Sequence, residues 1–455
     1  MSQPTLTQYT SQVQMTVSPE EYSLLTDLYE LTMGVCYCGE GIANQSASFE
    51  LFARRLPDSF GYIIAMGLAQ ALEYLEQLHF TPEQIQQLQE TGLFDRAPKE
   101  FWSLLEGKVF TGDVWAVSEG TAMFPHEPLL RVEAPLWQAQ LVETYLLNTI
   151  NYQSMIATKA ARMRDVAGET ARLLEFGTRR AFSPQGSLWA ARAALAAGFN
   201  ATSNVLAALK LGEIPSGTMA HSLVMAIGTL HGGEDEAFTA FNQYFPKAPL
   251  LIDTYDTVAA AERLAKAMQA GDKEVTGVRI DSGDVAQLSR KVRSLLPNVA
   301  IFASGDIDEM EIERLLSAGA FIDGYGIGTK LVTGNPINGV YKLVEIDGKP
   351  TRKRSSSKET YPGRKQVFRR WDNGKIQRDR LALMTESSKA GEATLLNLVM
   401  KQGETMIPVE SLATLRDRAR QSILSLPDAA RQLHNPDPIS VEISDRLQQL
   451  TNSNL

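Results

Sequence analysis

The chain has 455 residues, 44% of them hydrophobic and 21% charged, which suits an ordinary globular protein of two or three domains. A formal net charge of -9 argues against a general nucleic-acid binder, because no excess of cations is available to neutralise phosphates; a local anion site is compatible with it. No apolar run reaches the roughly 18 residues that a membrane span needs, and the polar first twenty residues lack the basic start and apolar core of a signal peptide. Cys36 and Cys38, one residue apart, suit neither a disulfide framework nor a zinc-ligand spacing, so a reducing cytoplasm is the expected compartment.

In chain order, residues 1–20 read as a flexible Thr/Gln/Ser-rich arm that ends in a helix-start signal at Ser18. Tyr22 to Val35 has helical apolar spacing, Ala47 to Leu51 alternates like a strand, and Tyr62 to Leu78 returns to helix. Residues 109–133 alternate and break at Gly and Pro, as a small β module does. Leu136 to Ala167 is helical throughout, without Gly or Pro. Candidate strands then follow at 171–176, 199–203, 216–220, 250–253, 277–281, 299–303 and 321–325. The helical segments between them include Ser187–Ala197, Val258–Ala270, Val285–Leu296 and Glu309–Ser317. Seven βα-like units in one run predict a barrel or barrel-like α/β domain. Beyond Gly334, Val340–Glu345 and Gln366–Arg370 read as antiparallel strands joined by a polar loop, 405–423 as a last helix, and Asn435 onward as a packed tail.

The chemistry-bearing residues gather where these apolar runs end. In open α/β sheets and barrels the C-terminal strand ends share one crevice, where glycines bring backbone N–H groups against phosphate. Arg279, Asp281, Ser282 and Asp284 set a cation beside two carboxylates; two acids near an anionic substrate suit a divalent metal or a developing cation between them, and a turn whose Asp caps the next helix is the simpler reading. Ser304-Gly305-Asp306 and Gly326-Ile327-Gly328-Thr329-Lys330 could cradle a phosphate, although neither is a complete nucleotide-binding fingerprint. Phe176 offers a ring face to a flat heterocycle, and Arg179 and Arg180 offer forks to carboxylate or phosphate. His221 and the pair Asp253 and Asp256 stand at further strand ends; either acid could be a helix cap. Tyr29 on the first helix reads as core on its own. The stretch 351–370 holds eight basic residues against one acid, and is either a solvated loop or a flap over phosphates.

Taken together, Thr26–Met33, Glu175–Arg180, Gly217–Ser222, Leu251–Asp256, Arg279–Asp284 and Tyr325–Lys330 resemble the nicotinate phosphoribosyltransferase family over a match that runs to about Arg370. The resemblance implies an α/β plus β protein: an irregular (β/α) barrel domain at 136–339, packed on a smaller mainly-β domain built from 21–135 and 340–455. It implies transfer of a phosphoribosyl group from phosphoribosyl pyrophosphate to nicotinate for NAD synthesis, coupled to ATP hydrolysis, in a homodimer with shared active sites. Phe176 would stack the pyridine ring, with Tyr29 of the neighbouring subunit on its other face, and Arg279 would sit near the ring substituent. Arg179, Gly305, Asp306, Gly326, Gly328 and Thr329 would contact phosphate, Asp281 would lie beside the ribose, and His221 would carry a phosphoryl group. Ser203 aligns with a position that is acidic in nicotinamide-using relatives. The chemistry of such a displacement calls for fixed negative charge near the ribose, for which Asp281 and Asp253 or Asp256 are candidates, and for Mg²⁺ near the pyrophosphate, for which Asp281 and Asp284 are candidates. A sister enzyme acting on nicotinamide or quinolinate, or a silent barrel that binds phosphoribosyl compounds, are the alternatives.

Overall fold

The structure, a computed structural model, describes residues 15–107, 109–353 and 360–453. Most of the predicted arm and the centre of the basic stretch, Arg354 to Glu359, therefore lie outside the described residues. The chain divides into two compact units: Met1–Ser154, Pro336–Ser411 and Leu424–Leu455 form one, and Met155–Asn335 with Leu412–Ile423 form the other. The division falls inside the helix Glu143–Ala167 rather than at residue 136, and the segment 412–423 counts with the second unit. No helix among the described residues is long and apolar enough to cross a membrane.

The first unit is built on a seven-stranded sheet that draws on both halves of the chain. Ser46–Ala53 pairs antiparallel with Gly339–Ile346 on one side and with Pro128–Pro135 on the other, so Phe49 faces Leu343 and Val132. Such a sheet closes only when residues nearly three hundred positions apart meet, which local periodicity does not record. A second sheet, of four strands, contains Lys365–Asp372 paired with Lys375–Leu383. The expected pairing of Val340–Glu345 with Gln366–Arg370 is thus corrected: each strand joins a different sheet. The local hairpins lie elsewhere, at Asp347-Gly348, Asn373-Gly374 and Gln402-Gly403, where both turn residues have positive φ as a two-residue type I′ turn demands. Buried ion pairs anchor the sheets, among them Lys365 Nζ to Glu50 at 2.8 Å and Arg369 to Asp379 at 2.5 Å.

The second unit carries a six-stranded parallel sheet in the order Ala201–Thr202, Arg172–Glu175, Gly324–Ile327, Ala300–Gly305, Gly277–Ile280, Leu250–Leu251. The register sets Thr202 beside Glu175, Glu175 beside Ile327, and Ile327 beside Gly305, so the C-terminal strand ends are level. Residues 216–220 form no strand, contrary to expectation. Pro215 cannot donate to a ladder and Gly217 offers no side chain to pack. The segment instead runs between the two sheet edges, where the Ser216 N–H donates to the Thr202 carbonyl (2.9 Å) and the Thr218 hydroxyl to the Pro249 carbonyl (2.5 Å). The helix expected over 405–423 spans Leu412–Ser425 and is not the last, since Asp445–Asn452 follows.

Candidate functional site

Every candidate residue except Tyr29 belongs to the second unit, and most lie in the last residues of its level strands or in the loops that follow them. Asp256 and Asp284 are helix caps: Asp256 Oδ1 accepts from the N–H groups of Val258 (3.0 Å) and Ala259 (2.9 Å), and Asp284 Oδ1 from that of Gln287 (3.0 Å). That is the ordinary work of Asp at a helix N-terminus, and it engages an oxygen of each. Asp253 is different. Its Oδ2 accepts from the N–H of Asp281 (2.9 Å) and the hydroxyl of Ser282 (2.7 Å), so the buried Asp253 side chain pins the loop that carries Asp281.

Asp281 itself is half-buried, and its Oδ1 accepts from the Ser304 hydroxyl at 2.5 Å. Gly305 follows with φ of +114°, and a Cβ there would stand 2.9 Å from the Asp281 carbonyl, so only glycine lets the two loops approach this closely. Gly305 and Asp306 are exposed at this strand end, with Gly328 and Thr329 half-buried at the next. The short helix Thr329–Val332 is held from below by Lys159, whose ammonium donates to the carbonyls of Lys330 and Thr333, the latter at 2.7 Å. Burial lowers the pKa of Lys159, while nearby Glu309 and Asp308 act to raise it.

His221 is not at a strand end but is the first residue of the helix His221–His231. Its Nδ1 lies 3.1 Å from the Thr254 hydroxyl and its Nε2 4.0 Å from Asp253 Oδ1. The missing strand at 216–220 explains the shift: the loop carries His221 to the helix start, still beside the strand end that bears Asp253 and Thr254.

A cavity of about 610 Å³ opens between the strands, lined by Phe176, Gly217, Arg279, Phe302 and Gly326 among others. Gly326 is its floor, since a Cβ at that position would collide with the Phe176 ring. The Arg279 guanidinium donates to the Met219 carbonyl at 3.1 Å, and its buried Nε has no partner. Burial pulls the Arg279 pKa down, Asp281 and Asp253 push it back up, and Arg179 lowers it again. A guanidinium so placed is well disposed to an added anion, which would satisfy the orphaned donor. Ser203 is half-buried at the end of its strand, and Arg179 is exposed.

Tyr29 belongs to the first unit, on the helix Leu28–Gly39, with 44% of its surface exposed, so the core reading does not hold. Beside it, Glu30 is buried and accepts from the Thr144 N–H (3.2 Å) and hydroxyl (2.9 Å). The roles of Thr254, Thr202 and Lys159 escaped the sequence reading. Thr254 lies inside the quoted motif Leu251–Asp256 and Thr202 inside the candidate strand 199–203, but a lysine inside a long helix carries no local signal.

Known proteins resemble this chain over most of its length. The sequence model described as the nicotinate phosphoribosyltransferase family matches residues 171–375, the corresponding N-terminal domain matches 24–151, and the C-terminal domain matches 389–451. A nicotinate phosphoribosyltransferase of Mycobacterium tuberculosis is 41% identical over 437 residues, covering 93% of this chain and 92% of the relative. One from Bacillus subtilis is 44% identical over 370 residues, covering 77% and 73%. The crystal structure of human nicotinic acid phosphoribosyltransferase superposes with a TM-score of 0.83 at 31% identity, covering 94% of this chain and all of that one. With a family model over 171–375, a Mycobacterium tuberculosis relative 41% identical over nine-tenths of both chains, and a second bacterial relative 44% identical over about three quarters of each, this chain belongs to the nicotinate phosphoribosyltransferase family.

Proposed function

We propose that this protein transfers the 5-phosphoribosyl group of phosphoribosyl pyrophosphate to the ring nitrogen of nicotinate, releasing pyrophosphate and supplying nicotinate mononucleotide for NAD synthesis. The observation that carries this reading is the half-buried Arg279, whose buried Nε has no partner, in a cavity that Phe176 and Gly326 shape for a flat ring. A planar heteroaromatic carboxylate matches both features: the ring lies against Phe176 and the carboxylate meets Arg279.

The pyridine nitrogen already bears its lone pair, so no general base is required, and positioning supplies most of the acceleration. As pyrophosphate departs, the anomeric carbon gains positive character. Asp281, fixed by Ser304 and by the Asp253-held loop, places negative charge beside it at no cost in reorganisation. Arg179 and the N–H groups of Gly305, Asp306, Gly328 and Thr329 receive the phosphates, while Gly326, buried within the sheet between two paired strands, serves the ring cavity instead.

No group of three possible metal ligands occurs among the described residues, and Asp284 is engaged as a helix cap. Magnesium usually binds through one or two carboxylates plus substrate phosphates, so Asp281 with the pyrophosphate suffices as a donor set. Bound there, it would neutralise the leaving group. ATP coupling is assigned to His221, whose imidazole nitrogen can accept a phosphoryl group, oriented by Thr254 and Asp253. The enzyme acts as a cytoplasmic homodimer in which Tyr29 of one chain covers the ring on Phe176 of the other. Its parallel sheet is an irregular barrel closed by residues 216–218 in place of a strand.

The test is purified protein with phosphoribosyl pyrophosphate, Mg²⁺ and nicotinate, nicotinamide or quinolinate in turn, with and without ATP. Nicotinate-dependent pyrophosphate release that ATP stimulates is expected; turnover with another pyridine in preference, or with none, overturns the reading.

A further inference from the structure

The carboxylate of Glu175 has no part in the steps above, although it is among the most deeply buried charges of the second unit, 1% exposed at the last position of the strand Arg172–Glu175. Burial pushes its pKa up, and hydrogen bonds from Thr202 and Gly177 pull it back. One oxygen accepts from the N–H of Gly177, the other from the Thr202 hydroxyl at 2.5 Å. Its backbone carbonyl accepts from the Ser203 N–H at 2.9 Å. Thr202 Oγ1 in turn accepts from the Asn204 N–H at 2.9 Å, and Asn204 Oδ1 caps the following helix through the Ala207 N–H at 3.0 Å. One side chain thus joins the loop bearing Phe176 and Arg179 to the loop bearing Ser203.

The Phe176 side of that junction is tightly packed. A Cβ on Gly177 would collide with Val332 and with Glu175 itself, and one on Gly328 would stand 3.1 Å from the Phe176 carbonyl, so the backbone around Phe176 is packed on both sides. A buried carboxylate is costly where a neutral side chain could fill the same space, and the cost is met only where its hydrogen bonds are all made.

We propose that Glu175 is a positioning residue for the pyridine carboxylate: touching no substrate, it sets the Phe176 platform and the Ser203 wall in register with each other. The proposal rests on the reading of Phe176 as the ring platform. Its effect falls chiefly on nicotinate, because Glu175 bonds the Phe176 loop at Gly177 and the Ser203 loop through Thr202, whereas of the phosphate contacts only Arg179 is carried on those loops and Gly305 and Asp306 stand on another strand.

Glu175→Gln keeps the shape but turns an N–H donor toward the Thr202 hydroxyl; Thr202→Val is the milder, nearly isosteric partner change. Glu175→Gln should raise KM for nicotinate roughly tenfold and leave KM for phosphoribosyl pyrophosphate within about twofold, as loss of a charged hydrogen bond at one subsite would. Adding Thr202→Val to it should produce little further change, since both break one junction. A rise in both KM values together, or a fall in melting temperature with kinetics intact, makes Glu175 merely structural and overturns the proposal. Should Glu175→Gln fail to fold, an unchanged nicotinate KM in Thr202→Val overturns it equally. Phe176→Ala separates the two levels: if it leaves the nicotinate KM unchanged, platform and positioning fall together; if it raises that KM while Glu175→Gln does not, only the positioning role falls.

Discussion

Asp253 Oδ1 stands 4.0 Å from Nε2 of His221 without a hydrogen-bond partner, while Oδ2 of the same carboxylate holds the backbone of Asp281 at 2.9 Å. One buried acid thus faces the imidazole assigned to phosphoryl transfer and fixes the loop assigned to the ribose. His221→Ala should therefore keep the fold and a weak ATP-independent transferase activity, but lose ATP hydrolysis and the ATP-driven gain in affinity for phosphoribosyl pyrophosphate. A melting curve reads the fold, and steady-state kinetics with and without ATP read the transferase activity, the ATP hydrolysis and the affinity; an acid-labile, base-stable radiolabelled phosphoryl group still found on His221→Ala would place the acceptor elsewhere.

Ser203 is a short neutral side chain at a strand end, where a carboxylate would repel the acid substrate and accept from an amide N–H. Ser203→Asp should shift the ratio of kcat/KM for nicotinate over nicotinamide downward by about tenfold or more, as a like charge near a bound anion does. Unchanged selectivity would remove Ser203 from specificity.

Tyr29 and Phe176 belong to different units of the chain. If the site is shared between subunits, an inactive Tyr29→Ala chain mixed with an inactive Phe176→Ala chain should regain activity, because heterodimers contain one intact site. Verified subunit exchange without recovery would show that each chain completes its own site.

Gly326 has no room for a methyl group against the Phe176 ring. Gly326→Ala should lower stability by about 1–3 kcal/mol through overpacking and weaken nicotinate binding about tenfold or more as the ring is displaced. Denaturant melts and nicotinate KM read both effects, and wild-type values in the two would show that the floor yields.

Glu30 lies beside Asp27, Glu143, Thr26 and Thr144, and its pKa is pushed up to about 8, chiefly by burial, with Glu143 and Asp27 adding to the rise. A carboxyl group raised in the folded state favours the protonated form. Its contribution to stability is complete below its ordinary value of 4.5 and is lost as the pH climbs through about 8. Glu30→Gln, always neutral, should melt several degrees above wild type at pH 9 and alongside it at pH 4. Parallel melting curves across that range would show that Glu30 ionises in the fold without penalty.

The βα rhythm from residue 171 to 327 was legible because the strands there are short apolar runs ending near small or acidic residues, and five of the helices begin at an Asp, Ser or Asn cap. The hairpin turns at Asn373-Gly374 and Asp347-Gly348 were equally local and could have been read from the same dipeptide signals. The pairing of Ser46–Ala53 with Gly339–Ile346 was not, since nothing in either strand names so distant a partner.

The residue types that the chemistry needs, and their recurrence at strand ends, were set by the sequence itself: a ring at 176, a guanidinium at 279, acids at 253 and 281, glycines at 305, 326 and 328. Which acids remain free was decided only by the fold. Asp256 and Asp253 are three residues apart and chemically identical, yet one caps a helix while the other keeps an oxygen unpartnered in front of His221. Lys159, Thr202 and the orphaned Nε of Arg279 likewise became visible only in three dimensions, because burial and partnership depend on residues brought together from across the chain.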